Sequence, residues 1–184
     1  MTCRKSMKIQ VFPRSYFAEI TGTQKECELL ETHRIISLNS SSGSAAMPPF
    51  SNLRAENLLC ITVDDIVWTI RGMTLFNKDH AGRIWDFAAD GKLPLMVHCT
   101  AGISRSGAVG EALNWYFNSY LQQSDGDFAA FYREHPDITP NPHIRSVLLD
   151  VLDRRLKMKN GSCFDMLKRE LEKLKNDQKE ESKK

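Results

Sequence analysis

The sequence predicts an α/β domain built on a central, mostly parallel sheet with helices on its faces. Short apolar or alternating segments follow one another along the chain, separated by longer segments in which apolar residues recur every three or four positions. The chain has 184 residues, of which 41% are hydrophobic and 26% charged. These values are usual for one globular domain with its own core. The sequence contains no internal repeat.

Four segments are predicted to be strands: residues 7–12, 34–38, 58–63 and 93–97. The first alternates apolar and other side chains and ends at Pro13, which has no amide hydrogen to donate to a sheet. The second and the fourth are mostly apolar, as expected of strands that are buried on both faces. The third leads directly into Asp64 and Asp65. A stretch rich in Ser, Gly, Ala and Pro, residues 39–52, is predicted to be a surface loop.

Five segments are predicted to be helices. They begin near residue 23, after the N-cap Asn77, beyond Arg105, at Asn141 followed by a proline, and at the capping box of Ser162 and Asp165. The first is polar with Cys27, Leu29 and Leu30 interspersed, and in the others apolar residues recur with the period of an α-helix. The third continues to residue 120 and is apolar on most of its surface, so we expect it to be long and largely buried.

The C-terminal part of the chain differs from the rest. We expect residues 1–160 to form the functional domain and residues 161–184 to form an appended helix with a charged tail. The helix has a narrow apolar stripe, which fits packing against the domain, with binding of a partner as the alternative. From residue 176 onward every residue is polar or charged, so we expect this tail to be disordered.

Charge and cysteine content exclude several classes of function. Lys and Arg number 25 against 23 Asp and Glu, so the net charge of +2 lacks the excess of a dedicated nucleic-acid binder. No apolar run approaches the roughly 18 residues of a membrane helix, and the charged N-terminus lacks the apolar core of a secretory signal. The five cysteines are odd in number and form no Cys-x-x-Cys pair, which argues against a disulfide framework or a zinc site. We therefore expect a cytoplasmic protein with free thiols and no metal.

The most informative segment is His-Cys-Thr-Ala-Gly-Ile-Ser-Arg-Ser-Gly, residues 98–107, which joins a predicted strand to a predicted helix. A loop entering a helix N-terminus gathers backbone N–H groups and the positive end of the helix dipole, which suits a phosphate dianion. The same groups would stabilise a thiolate at Cys99 and make it a nucleophile at neutral pH. Arg105 can bind two phosphate oxygens, Gly102 allows a tight turn, and Ser106 can donate to the sulfur.

Taken alone, Cys99 would be interpreted as a small buried hydrophobe. The pattern His98-Cys99-x5-Arg105-Ser106 between a strand and a helix favours catalysis instead. It resembles the signature of the cysteine-dependent protein tyrosine phosphatase superfamily. The full string is similar to that of dual-specificity phosphatases and their compact bacterial and viral relatives.

The resemblance covers roughly residues 58–156 and implies a phosphotyrosine protein phosphatase-like fold. It implies that Cys99 is the nucleophile, that Arg105 and Ser106 assist it, that His98 holds the loop and tunes the thiolate, and that no cofactor is needed. The positions implied to contact the phosphate are Thr100, Ala101, Gly102, Ile103, Ser104 and Arg105. The pair Pro140–Asn141 resembles a segment that supports the phosphate-binding loop.

The general acid implied by the resemblance is an aspartate some thirty residues before the cysteine. Asp65 lies 99 − 65 = 34 positions before Cys99 and is favoured by its register with the family strand. Asp64 is the alternative. Asp79 is better interpreted as a first-turn residue that complements a helix dipole.

The four variable positions of the loop carry no basic residue: Thr100, Ala101, Ile103 and Ser104. Relatives that act on inositol lipids or RNA 5′ ends tend to carry Lys or Arg there. We therefore expect a phosphoprotein substrate, with phosphotyrosine and phosphoserine or phosphothreonine both accepted. Two alternatives stay open: the same chemistry on RNA, nucleotide or phosphoinositide substrates, or a catalytically weak phosphate-binding module.

Overall fold

The computed structural model describes residues 7–89, 93–121, 125–158 and 162–181. Its centre is a four-stranded parallel sheet in the order β1-β4-β2-β3. The strands are β1 (Ile9–Pro13), β2 (Arg34–Asn39), β3 (Leu58–Thr62) and β4 (Leu95–Cys99). This arrangement confirms the predicted α/β class and parallel sheet.

The two central strands are buried along their whole length. Their apolar composition explains this position, because helices cover both faces of a parallel sheet. All four strands run in the same direction, so their carboxyl ends meet at one edge of the sheet. The site described below lies at that edge.

The helices carry most of the remaining described chain. They are α1 (Arg14–Ala18), α2 (Gln24–Thr32), α3 (Lys78–Ala89), α4 (Arg105–Asn114), α5 (Asp125–Glu134), α6 (Pro142–Leu156) and α7 (Cys163–Glu181). The main core lies between the sheet and α3, α4 and α6, and a smaller apolar cluster formed around Phe17 covers the other face. Helix α4 approaches β1 so closely that a Cβ at Gly110 would lie 2.6 Å from Val11 Cγ2.

The predicted long helix beyond Arg105 differs from the observed one. The α-helical part ends at Asn114 and continues as a π-helical segment, Trp115–Tyr120. Trp115 and Asn118 remain buried there, so the wider π-helix still places residues of this segment in the core. The short α1 and the helix α5 were not predicted.

The predicted disorder from residue 176 onward is wrong for residues 176–181. These residues continue α7 to Glu181, since Lys, Glu and Gln are good helix formers. Residues 182–184 lie outside the described residues. At the other end of α7, Cys163 and Leu167 are buried in the main core. The division into residues 1–160 and 161–184 stays a prediction.

Candidate active site

The segment after β4 forms a loop, residues 100–104, which we call the phosphate loop. Three of its carbonyl groups accept hydrogen bonds from backbone N–H groups of surrounding segments. The pairs are Arg14 N to Thr100 O (3.2 Å), Thr139 N to Ile103 O (3.2 Å) and Asn141 N to Ser104 O (3.2 Å). The loop is therefore held from outside by the start of α1 and by the segment before α6.

These hydrogen bonds also fix the direction of the N–H group that shares a peptide bond with each of the three carbonyls. In a trans peptide the C=O of one residue and the N–H of the next point in opposite directions, and no described peptide bond is cis. The N–H groups of Ala101, Ser104 and Arg105 therefore point away from the supporting segments. The N–H groups of Gly102 and Ser106 bond to Cys99. N–H groups gathered at a helix N-terminus suit an anion.

Gly102 is the residue that lets the loop turn. Its φ is +75°, in the left-handed region that favours glycine. A Cβ at this position would also lie 2.6 Å from Pro13 N and 2.7 Å from the carbonyl carbon of Phe12. Both the conformation and the contact with β1 therefore require glycine, as the sequence predicted.

The Cys99 thiol lies at the end of β4 and is only 2% exposed. Its Sγ is 3.1 Å from the hydroxyl oxygen of Ser106. Burial alone would raise the pKa of Cys99. The hydroxyl and N–H of Ser106, the charge of Arg105 and the N–H of Gly102 outweigh burial and lower the pKa below its ordinary value. The site therefore favours a thiolate.

The guanidinium of Arg105 is buried and held at both terminal nitrogens. Nη1 donates to Val63 O (2.7 Å) and Ser40 Oγ (3.2 Å), and Nη2 donates to Thr100 Oγ1 (2.8 Å). Its Nε is buried and donates to no atom of the described residues. A buried charged donor of this kind is costly unless it meets an acceptor, and an anion in the phosphate loop could supply one.

Asp65 is exposed at the mouth of the phosphate loop. Its Oδ1 accepts from Ser104 Oγ (2.8 Å) and from Asn141 Nδ2 (2.8 Å). The amide oxygen of Asn141 in turn accepts from the N–H groups of His143 (3.0 Å) and Ile144 (3.1 Å) at the start of α6. Because the helix cap orients the amide, it also aims Nδ2 at Asp65.

Asp64 has a different environment, although it is the adjacent residue. It is buried and accepts hydrogen bonds from the N–H and hydroxyl of Ser41 and from Thr74 N (2.7 Å). Burial would raise the pKa of Asp64, but these bonds and the charge of Arg105 lower it. The Asp64 carboxyl therefore stays ionised. Its hydrogen bond from Thr74 N joins the two ends of residues 65–73, a segment that we call the Asp65 loop.

His98 lies beneath the phosphate loop and is fully buried. Its ring packs against Phe17 and Phe50, with ring centroids 4.7 Å and 5.7 Å away. Burial lowers the pKa of His98 to about 3, and the charges of Arg14 and Arg105 act in the same direction. A hydrogen bond with the Cys99 backbone acts in the opposite direction but does not outweigh burial, so the imidazole is neutral. The role predicted for His98 in holding the loop and tuning the thiolate stays a prediction.

Two of the solved structures that match this chain have a similar overall fold. One is a crystal structure of the human tyrosine phosphatase-like serine/threonine/tyrosine-interacting protein (TM-score 0.53, 20% identity, covering 79% of this chain and 91% of that one). The other is PTPMT1 in complex with PI(5)P (TM-score 0.50, 12% identity, 82% and 93%). The chain has the fold of the cysteine-dependent protein tyrosine phosphatases. No protein-family model matches the sequence, and no curated protein does.

In this phosphatase fold, three supporting residues were not anticipated from the sequence. Ser40, Ser41 and Thr74 hold Arg105 and Asp64. The available signal was positional, because Ser40 and Ser41 follow β2 and therefore lie at the same edge of the sheet as Cys99.

A cysteine on a strand adjacent to β4 could form a disulfide with Cys99. Cys60 does not meet this condition, because it lies on β3 and β2 lies between β3 and β4. Cys60 is opposite Ser37, which is opposite His98. Two strand spacings amount to about 9.6 Å, whereas a disulfide requires Cα atoms within about 7 Å.

Within the described ranges, no group of three His, Cys, Asp or Glu residues is placed to hold a metal ion. No helix in those ranges is both long enough and apolar enough to cross a bilayer.

Proposed function

We propose that the chain is a phosphatase of the cysteine-dependent superfamily that hydrolyses phosphate monoesters on proteins. The observation that carries the proposal is the Cys99 thiol at the start of the phosphate loop, 3.1 Å from Ser106 Oγ and bonded by the N–H groups of Ser106 and Gly102. The phosphate would bind to N–H groups of the loop and to the Nε of Arg105. Its negative charge would meet the helix dipole of α4 and the guanidinium.

The reaction has two steps. In the first, the Cys99 thiolate attacks phosphorus, the bond between phosphorus and the ester oxygen breaks, and Asp65 gives its proton to that oxygen. In the second, a water molecule attacks the phosphocysteine and loses its proton to the Asp65 carboxylate. The sulfur leaves as a thiolate that accepts a hydrogen bond from Ser106, and inorganic phosphate is released.

We assign the proton transfer to Asp65 rather than Asp64. Asp65 is exposed beside Ser104, where a leaving oxygen would emerge from the loop. Asp64 is buried, its oxygens already accept three hydrogen bonds, and its lowered pKa keeps it ionised. The hydrogen bonds that hold the Asp64 carboxylate oppose the protonated form that a general acid needs.

The substrate class follows from the charge of the phosphate loop. Its variable positions carry no Lys or Arg, so a polyphosphorylated headgroup or an RNA 5′ end would meet no additional cation there. We therefore propose phosphotyrosine and phosphoserine or phosphothreonine in proteins as substrates. A low-pKa thiolate works only where thiols stay reduced, which fits the cytoplasm.

A panel of substrates tests the proposal. Wild-type protein and Cys99→Ser are assayed with a phosphotyrosine peptide, a phosphothreonine peptide, a phosphoinositide and a 5′-triphosphate RNA. We expect the peptides to be turned over fastest and Cys99→Ser to be inactive while it still binds phosphate. Activity that persists in Cys99→Ser would refute the cysteine mechanism. Faster turnover of lipid or RNA would refute the substrate class.

A further inference from the structure

The mouth of the proposed active site is unusually apolar. Among the described residues, eight large apolar side chains are exposed, and five of them lie on the Asp65 loop or the phosphate loop. These five, which we call the apolar rim, are Val67, Trp68, Ile70, Met73 and Ile103. Trp68 is the most prominent, with 68% of its surface exposed. Single exposed apolar residues are ordinary, but a group of them beside one pocket marks a binding surface.

The Asp65 loop is closed and anchored at the pocket. Asp64 N donates to Thr74 O (2.8 Å) and Thr74 N donates to the Asp64 carboxylate (2.7 Å). The two ends of residues 65–73 therefore lie side by side. At its first residue, Asp65 accepts from Ser104, the neighbour of Ile103. Trp68 is three residues from Asp65, which puts their Cα atoms within about 11 Å of each other. The apolar rim therefore begins at the mouth of the pocket.

The reaction determines which part of a substrate would meet this rim. The leaving oxygen has to lie beside Asp65, so the chain that carries the phosphorylated side chain passes next to the Asp65 loop. An extended peptide advances about 3.3 Å per residue, so 11 Å corresponds to about three residues. We propose, on the basis of the proposed function, that the apolar rim binds large apolar side chains within three residues of a phosphotyrosine in a polypeptide substrate.

The charge of the Asp65 loop favours a polypeptide over a membrane surface. Residues 65–73 contain one acidic residue, Asp65, and one basic residue, Arg71, so their charges cancel. The phosphate loop adds no Lys or Arg at its variable positions. Apolar segments that dock on anionic lipid normally combine the apolar face with several basic residues.

Two phosphotyrosine peptides of equal length and net charge test the proposal. One carries Leu at the three positions on each side of the phosphotyrosine, and the other carries Ser at those positions. We expect kcat/KM to be about tenfold higher for the Leu peptide, because the rim removes its side chains from water. In the double variant Trp68→Ala, Met73→Ala this ratio should fall to within about twofold of one. The matched control is Phe164→Ala, an exposed apolar residue on α7, which should keep the wild-type ratio.

The ratio is measured a second way, as peptide binding to Cys99→Ser, so that it does not depend on turnover. If neither peptide is hydrolysed but the Leu peptide binds more tightly, the proposed chemistry fails and the rim proposal stands. Equal kcat/KM and equal binding for the two peptides would overturn the rim proposal, as would a ratio that survives the double variant. Binding to vesicles of phosphatidylcholine with phosphatidylserine is measured for the wild type and the double variant. Binding to them that is lost in the double variant, together with a peptide ratio of one, would assign the rim to a membrane instead.

Discussion

Removing the Ser106 hydroxyl isolates one interaction of the proposed mechanism. The oxygen lies 3.1 Å from Cys99 Sγ, and both residues are buried. A hydrogen bond to a charged group contributes about 1.5–3 kcal/mol. Since about 1.4 kcal/mol corresponds to a tenfold change in rate, Ser106→Ala should slow expulsion of the thiolate from the phosphocysteine by about 10- to 150-fold.

The expected signature is a burst. Formation of the phosphocysteine does not require the sulfur to leave, so the first turnover in Ser106→Ala should stay faster than the following ones. Rapid mixing with an aryl phosphate should release about one equivalent of product per enzyme before a slow steady state. The pKa of Cys99 should also rise, because Ser106 helps to lower it, so the acidic limb of the kcat/KM profile should move to higher pH.

The control for this variant is Ser162→Ala, in the exposed capping box of α7, which should leave the kinetics unchanged. An unchanged steady-state rate in Ser106→Ala, or a rate that falls with no burst and no shift of the acidic limb, would refute the assigned role of the hydroxyl.

Other variants test the remaining groups. Asp65→Asn should slow substrates with poor leaving groups by about 100-fold or more and spare activated aryl phosphates, in steady-state assays across leaving groups; the same pattern in Asp64→Asn instead would reverse the assignment. Because the folded pKa of Asp64 is lowered, its stabilising effect is present above the unfolded pKa and lost as the pH falls through the folded value. Asp64→Asn should thus flatten the acid side of a Tm-against-pH curve, and an unchanged curve would contradict this. Arg105→Lys should lose about 100-fold or more in kcat/KM, since an ammonium cannot replace the planar fork; near-normal kinetics would remove Arg105 as the clamp. Mild peroxide should oxidise Cys99 before the other cysteines, by mass spectrometry, and a reduced Cys99 beside another oxidised thiol would contradict its activation.

The sequence was most informative where the residues of the proposed site are adjacent in the chain. The segment of residues 98–107 contains a thiol, a turn glycine, a guanidinium and a hydroxyl within ten positions, and its place between a strand and a helix follows from local apolar patterns. The strands and the helices α2, α3, α6 and the start of α4 were predicted for the same reason. The wider π-helical segment, Trp115–Tyr120, was not, because α and π helices bury similar apolar patterns.

Contacts between segments that are far apart in sequence could not be predicted from local patterns. Strand order is set by packing of the whole chain, so the position of β2 between Cys60 and Cys99 could not be read from either segment. The support of Asp64 by Ser41 joins residues 23 positions apart and depends on both lying at the carboxyl edge of the sheet. The different burial of Asp64 and Asp65, on which our assignment of the proton transfer rests, likewise depends on such contacts.

The most direct test of the central claim is detection of the covalent intermediate. Wild-type protein is mixed with an aryl phosphate, quenched in acid within milliseconds, digested and examined by mass spectrometry, with Ser106→Ala as the variant in which the intermediate should accumulate. We expect one phosphate per chain, attached to Cys99 in the peptide that contains residues 98–105, and none in Cys99→Ser. Turnover without a phosphorylated Cys99 in Ser106→Ala, or phosphate on a different residue, would contradict the account.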